Sequence, residues 1–229
     1  NTWSKYFKNA IKQEQKFEAF ENSITVIPLA GRGSRFVKEG YKDPKPLIVV
    51  DNKPIIEHVV NLFPGEKDIK FICNDKHLKE TRMKDILNGF CPNGKIYEVP
   101  VKGREGPVHA VSLIFDDIKD DEEVIVSYCD YGTWWDYKGF LDDTRKRNAD
   151  GAIACYKGFH PHMLGSDNYA FLKENKLGSR WMEAIKEKEP FTDDRMNEYA
   201  SNGTYYFKSG AIMKKYFQRL MDRKLTLKN

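Results

Sequence analysis

The sequence predicts an α/β protein built on a mainly parallel, mixed sheet with helices on both faces. Short apolar runs rich in Val and Ile recur along the chain, and amphipathic stretches of helical length separate them. Residues able to do chemistry cluster just after those runs. Parallel strands need crossovers, crossovers cover the sheet, and ligands of such sheets bind beyond the carboxyl ends of the strands.

The elements follow in order. Residues 1–23 read as an amphipathic helix, with Trp3, Phe7, Ala10, Ile11, Phe17 and Phe20 near one face and Lys and Glu elsewhere, a packing or interdomain segment. The run 24–30 is a buried strand, and 31–40 is a glycine-punctuated basic loop. After the apolar stretch 46–50, Lys53 and Pro54 open a helix reaching Phe63, proline being suited to a first turn. Strands are expected at 70–73, 94–101, 123–129 and 151–156, with helices at 76–88, 106–115 and 137–148. Beyond residue 157 polar loops and short strands (169–172, 181–185, 203–207) suggest a substrate-side lobe of the same domain. Residues 24–229 are thus expected to form one domain behind the segment 1–23.

Composition narrows the functional classes. The 229 residues carry 38 Lys+Arg against 34 Asp+Glu, so the excess of four positive charges is too small and too dispersed for a nucleic-acid surface. No apolar run spans a membrane. Cys73, Cys91, Cys129 and Cys155 form no CxxC pair, which excludes a zinc knuckle and a dithiol motif and makes a reducing cytoplasm the expected location. His160 and His162 flank a proline without a carboxylate or thiol at ligand spacing, a poor zinc site; 159–168 reads as a specificity loop.

The sharpest motif is Leu29-Ala-Gly-Arg-Gly-Ser-Arg35, followed by Lys45-Pro46-Leu47. Gly31 and Gly33 let the backbone turn tightly and present N–H groups to an anion, while Arg35 and Lys45 add fixed positive charge. It is neither the dinucleotide GxGxxG nor the Gx4GK[ST] phosphate loop. Asp130, a carboxylate at the end of an apolar strand, stands where a phosphate-bridging metal is held. Asp136 reads as a helix cap and His109 as a packed or capping histidine.

On these residues the sequence resembles the sugar-phosphate nucleotidylyltransferases, whose signature is Gly-x-Gly-Ser/Thr-Arg followed by Lys-Pro-Leu; the likeness runs from about Ile24 to Phe207. The stretch 36–47 resembles a subgroup associated with bacterial capsule and surface-polysaccharide synthesis. The resemblance implies a Rossmann-like fold shared with GT-A enzymes. It implies an NTP held by Leu29, Ala30, Gly31, Arg32, Gly33 and Ser34, with Arg35 and Lys45 at the reacting phosphates. Gly106 and Pro107 would hold the base, and Asn74 would touch base or ribose. Asp130 would bind Mg2+. Glu187, Asn202 and Gly203 would bind a phosphorylated acceptor, with Lys188 on its phosphate.

Two features depart from the family. Its second metal-binding Asp has no counterpart near the C-terminus, since Asp222 lies in a charged helical stretch, so the chain reads as a piece of something longer, fused to another domain or oligomeric. The glycosyltransferase alternative wants Asp-x-Asp, whereas Asp130 is followed by Tyr131 and Gly132. A non-catalytic nucleotide-sugar-binding domain is the third reading.

Overall fold

The computed structural model describes residues 22–31, 33, 36, 38–103, 105–160, 164–165 and 167–224. The expected N-terminal helix lies outside these, apart from Asn22 and Ser23. Strands β1 (Ser23–Pro28), β4 (Asp68–Asn74), β5 (Lys95–Val99) and β6 (Glu123–Ser127) are the parallel core. Strands β7 (Gly151–Tyr156), β8 (Ala170–Glu174), β9 (Met182–Glu187) and β10 (Tyr199–Phe207) are joined to it by antiparallel pairings. Among the described residues one eight-stranded sheet results, in the order β5-β4-β1-β6-β10-β8-β9, with β7 also pairing β10. The expected substrate-side lobe is built as an extension of the same sheet, because β10 starts earlier than its apolar run suggested and reaches from β6 to β8.

Strand alternation divides the core. Ile27, Phe71 and Ile125 face helices α1 (Ile55–Val60), α3 (Met83–Phe90) and α5 (Tyr137–Lys146), whose Ile56, Val59, Met83, Leu87 and Leu141 are buried with them. Ile24, Val26, Ile72, Val124 and Val126 face α4 (Pro107–Ser112) and α6 (Gly210–Asp222), which contribute Ala110, Val111 and Met213. Both faces of the parallel core are covered, as expected for parallel strands.

Two helices are shorter than the sequence suggested. The stretch 76–88 breaks into α2 (Asp75–Glu80) and α3, because Thr81 leaves helical geometry (φ −133°, ψ 172°) and its hydroxyl accepts the Met83 N–H at 3.2 Å. Lys53 and Pro54 form strand β3 (Lys53–Pro54) against β2 (Val49–Val50), not a first helical turn. The reason is the two-residue turn Asp51-Asn52, with φ values of 49° and 63°, which matches hairpin twist.

Candidate active site

A cleft of about 510 Å3 opens at the carboxyl ends of β1 and β6, the neighbouring parallel strands at the centre of the sheet. Pro28, Ala30 and Gly31 form one wall, Val101, Gly106, Pro107 and Ala110 a second, and Tyr128, Cys129 and Asp130 a third. Five residues picked from sequence, Ala30, Gly31, Gly106, Pro107 and Asp130, thus meet in one place.

Local sequence explains the walls. Gly106 takes φ 101° at the start of α4, a conformation that favours glycine, and Pro107 occupies the first helical position where no N–H is needed. His109 accepts the Glu105 N–H on its Nδ1 at 3.1 Å, so it braces this turn. Asp136 caps α5 by accepting the Gly139 N–H at 2.9 Å.

Lys45 sits on a single turn of 3-10 helix, Lys45–Leu47, anchored by the buried Pro46 and Leu47. Its ammonium pairs directly with the Asp130 carboxylate and lies 4.9 Å from the centroid of the Phe36 ring. About 30% of each paired side chain is exposed, so an incoming anion or cation reaches both partners. Gly33, at φ 60°, lies beside Lys45, and an added Cβ there would stand 3.9 Å from the Lys45 Cβ. That spacing is ordinary contact; the backbone angle is what calls for glycine.

The surroundings of Asp130 limit the kind of metal site it could belong to. Among the described residues no three His, Cys, Asp or Glu side chains gather into a metal-binding group. Mg2+ commonly rests on one or two carboxylates plus substrate phosphates. Asp130 therefore suits a cation held jointly with phosphate oxygens rather than a protein cage. Asp222 is remote in role: it closes α6 and accepts from Gln218 Nε2 at 2.8 Å.

The other sequence candidates divide. Arg32, Ser34 and Arg35 lie outside the described residues. Leu29 is 1% exposed, packs in the core and donates its N–H to Ile72 O at 2.8 Å, so its side chain is not a ligand contact. Asn74 is likewise 1% exposed: it caps α2 by accepting the His77 N–H at 2.7 Å, and its Nδ2 lies 2.8 Å from His77 Nδ1. Its place at a strand end suggested a base contact, but that position also begins a helix, and the cap takes the side chain.

Of the residues assigned to an acceptor from sequence, Glu187 ends β9 and Lys188 follows with φ 57°, its N–H donated to Tyr169 O at 3.0 Å; both are exposed and outside the cleft lining. Asn202 and Gly203 lie within β10, where the pairing with β7 shifts register between Ser201 and Tyr205. Asn202 Oδ1 accepts the Thr204 N–H at 3.0 Å and thereby shapes that irregularity.

Sequence reasoning passed over Tyr128 and Cys129, although their position directly before Asp130 was the available signal. Burial, and next the negative charge of Asp130, push the Cys129 thiol up to about 12. It stays protonated at neutral pH and offers no thiolate nucleophile. The site's chemical means are fixed charge, oriented backbone and one carboxylate.

A family model described as "MobA-like NTP transferase domain" matches residues 25–188. The chain is 33% identical over 107 residues to the bifunctional protein GlmU of Buchnera aphidicola, covering 46% of this chain and 22% of that longer protein. Among solved structures, the nucleoside-diphosphate-sugar pyrophosphorylase from Vibrio cholerae RC9 superposes with TM-score 0.64 at 20% identity, over 89% of this chain and 79% of the other. A UDP-glucose pyrophosphorylase complexed with UDP-glucose gives 0.63 at 17% identity, over 88% and 80%. At such identities these two establish the fold.

Proposed function

Since the chain belongs to the MobA-like NTP transferase domain family, we propose that it is a nucleotidylyltransferase acting on an NTP and a phosphorylated acceptor, a sugar 1-phosphate or a similar monoester. An oxygen of the acceptor phosphate forms a bond to the α-phosphorus of the NTP, the bond to the bridging oxygen breaks, and pyrophosphate leaves. The product is an NDP-linked acceptor. Such a reaction needs alignment and charge neutralisation rather than a covalent nucleophile, in keeping with a site whose Cys129 is held as a thiol.

The observation that carries this reading is the convergence of the Gly31 loop, the Gly106–Pro107 turn and the Lys45–Asp130 pair on one cleft. The backbone around Gly31 and Gly33 cradles phosphates, and Gly106 lets the α4 turn approach the base. Lys45, released from Asp130, neutralises charge developing on the reacting phosphates, with Arg35 assigned the same task from sequence. Asp130 would hold Mg2+, which would supply charge neutralisation for the reacting phosphates. Glu187, Asn202 and Gly203 form the acceptor side, and Lys188 orients the acceptor phosphate. The position of β10 inside the sheet supports reading 24–229 as one unit.

The resemblance of 36–47 to the capsule-associated subgroup supports an activated-sugar product used in surface polysaccharide synthesis, made in the cytoplasm. No helix among the described residues is long and apolar enough to cross a membrane. A pyrophosphate-release assay over four NTPs and a panel of sugar 1-phosphates and phosphocholine tests the activity. Release confined to particular NTP–acceptor pairs is expected. NTP binding without release from any pair would replace the enzyme with a binding domain. In Lys45→Ala, turnover should drop about 100- to 1,000-fold, the usual cost of one charge-stabilising group, with little change in thermal unfolding.

A further inference from the structure

β10 changes neighbours midway. Its later half, from Thr204, pairs with β6, while its first residues, Tyr199 and Ala200, pair with β8. Asn202 and Gly203 occupy the change. There Gly203 adopts φ 94°, its N–H donates to Ser201 Oγ at 3.2 Å, and its carbonyl accepts the Tyr128 N–H at 2.9 Å.

This irregularity makes room for one side chain. A Cβ added to Gly203 would stand 2.5 Å from Tyr128 Cδ2 and 2.8 Å from its Cγ, far inside contact distance. The Tyr128 ring therefore lies directly on the Gly203 backbone, and Tyr205 supports it edge-on at 5.9 Å between centroids. Tyr128 is nonetheless 40% exposed and lines the cleft beside Asp130. A large aromatic residue left open in a ligand cleft, with a strand bent and a glycine spent to seat it, is unusual for a residue serving packing alone.

We propose that Tyr128 is a positioning residue for the acceptor: its ring, seated on Gly203, walls the acceptor half of the cleft and fixes where the acceptor's phosphate meets Lys45 and Asp130. The inference rests on the nucleotidyl-transfer reading. It adds the residue that sets acceptor placement and size, and it recasts Gly203 as the seat of that residue rather than a direct acceptor contact.

A double-mutant cycle tests it. Gly203→Ala should force the ring into the cleft and raise the acceptor KM on the order of tenfold or more, a scale reached by small misplacements of reacting groups, with a smaller change in the NTP KM. Tyr128→Ala alone should raise the acceptor KM and blunt discrimination across the sugar 1-phosphate panel. Tyr128→Phe, which keeps the ring, should behave like the parent. Adding Tyr128→Ala to Gly203→Ala should recover part of the lost acceptor affinity, because the clashing ring is gone. Equal rises in both KM values, or no recovery in the double variant, would overturn the proposal while leaving nucleotidyl transfer intact. Thermal unfolding of the four proteins follows the same cycle without turnover: Tyr128→Ala should be better tolerated in the Gly203→Ala background than in the parent. Additive unfolding shifts overturn the seating itself, and absence of turnover in the parent with every pair overturns the reaction together with Tyr128's part in it.

Discussion

The two ends of the central sheet treat polar groups in opposite ways. At the end where β1 and β6 begin, the carboxylates of Glu66 and Glu123 are answered by protein. Ser23 Oγ and the Tyr137 hydroxyl both donate to Glu66, the first at 2.9 Å. Glu123 accepts from the Tyr206 hydroxyl at 2.7 Å and from Arg145 Nε at 3.0 Å, and Phe63 packs edge-on against Tyr137. At the end where the same strands finish, glycines replace side chains, backbone is laid open, and the Lys45–Asp130 pair stands half-covered beside a cleft. A closed network stabilises one geometry; an open pair waits for a ligand to take over its charges. The same strands therefore supply a fixed base and an adaptable rim.

The strongest way to break this contrast is to damage each end and compare what is lost. Asp130→Asn should reduce pyrophosphate release by two orders of magnitude or more, as for other charge-stabilising groups, yet cost less than about 1 kcal/mol in unfolding because the pair stands at the cleft rim, partly open to solvent. Conversely, Glu123→Ala removes the acceptor shared by Arg145 Nε and the Tyr206 hydroxyl and should cost about 2 kcal/mol, with kcat nearly unchanged. Denaturant unfolding and steady-state kinetics on both variants measure the crossing. Equal losses of stability and turnover at either end would erase the distinction.

How much of this was legible in the sequence follows from the range of the interactions. Strand alternation and the Gly31–Gly33 and Lys45-Pro46-Leu47 motifs are local, so the core strands and Gly31 could be read directly, while Ala30, Gly106 and Pro107 followed from the family resemblance. Asp130 was legible because a carboxylate ending an apolar run is itself a local pattern. Asn74 shows the limit: the same strand-end position supports a ligand contact or a helix cap, and the His77 N–H decides it. Tyr128 and Gly203 meet only because β10 lies next to β6, a pairing between segments over seventy residues apart that no local pattern encodes. The closed network at the other end is equally non-local, joining Ser23, Glu66 and Tyr137.

The finest test of the contrast lies in that network and in the sign of a pH effect. Glu66 is half-buried, and desolvation raises its carboxyl above its ordinary value of 4.5, against the hydrogen bonds from Tyr137 and Ser23 that lower it. A carboxyl raised in the folded state keeps its proton longer folded than unfolded. Its contribution to stability is therefore greatest below pH 4.5 and declines as pH climbs to the folded value, after which it is level. Glu66→Gln removes that titration while retaining a carbonyl acceptor for one of the two hydroxyls. Unfolding free energies measured across this interval should show the parent losing stability relative to Glu66→Gln as pH rises, with pyrophosphate release following the same pH profile in both. A difference that runs the other way would mean that the hydrogen bonds outweigh desolvation, and that this end of the sheet holds its carboxylate as an anion by design.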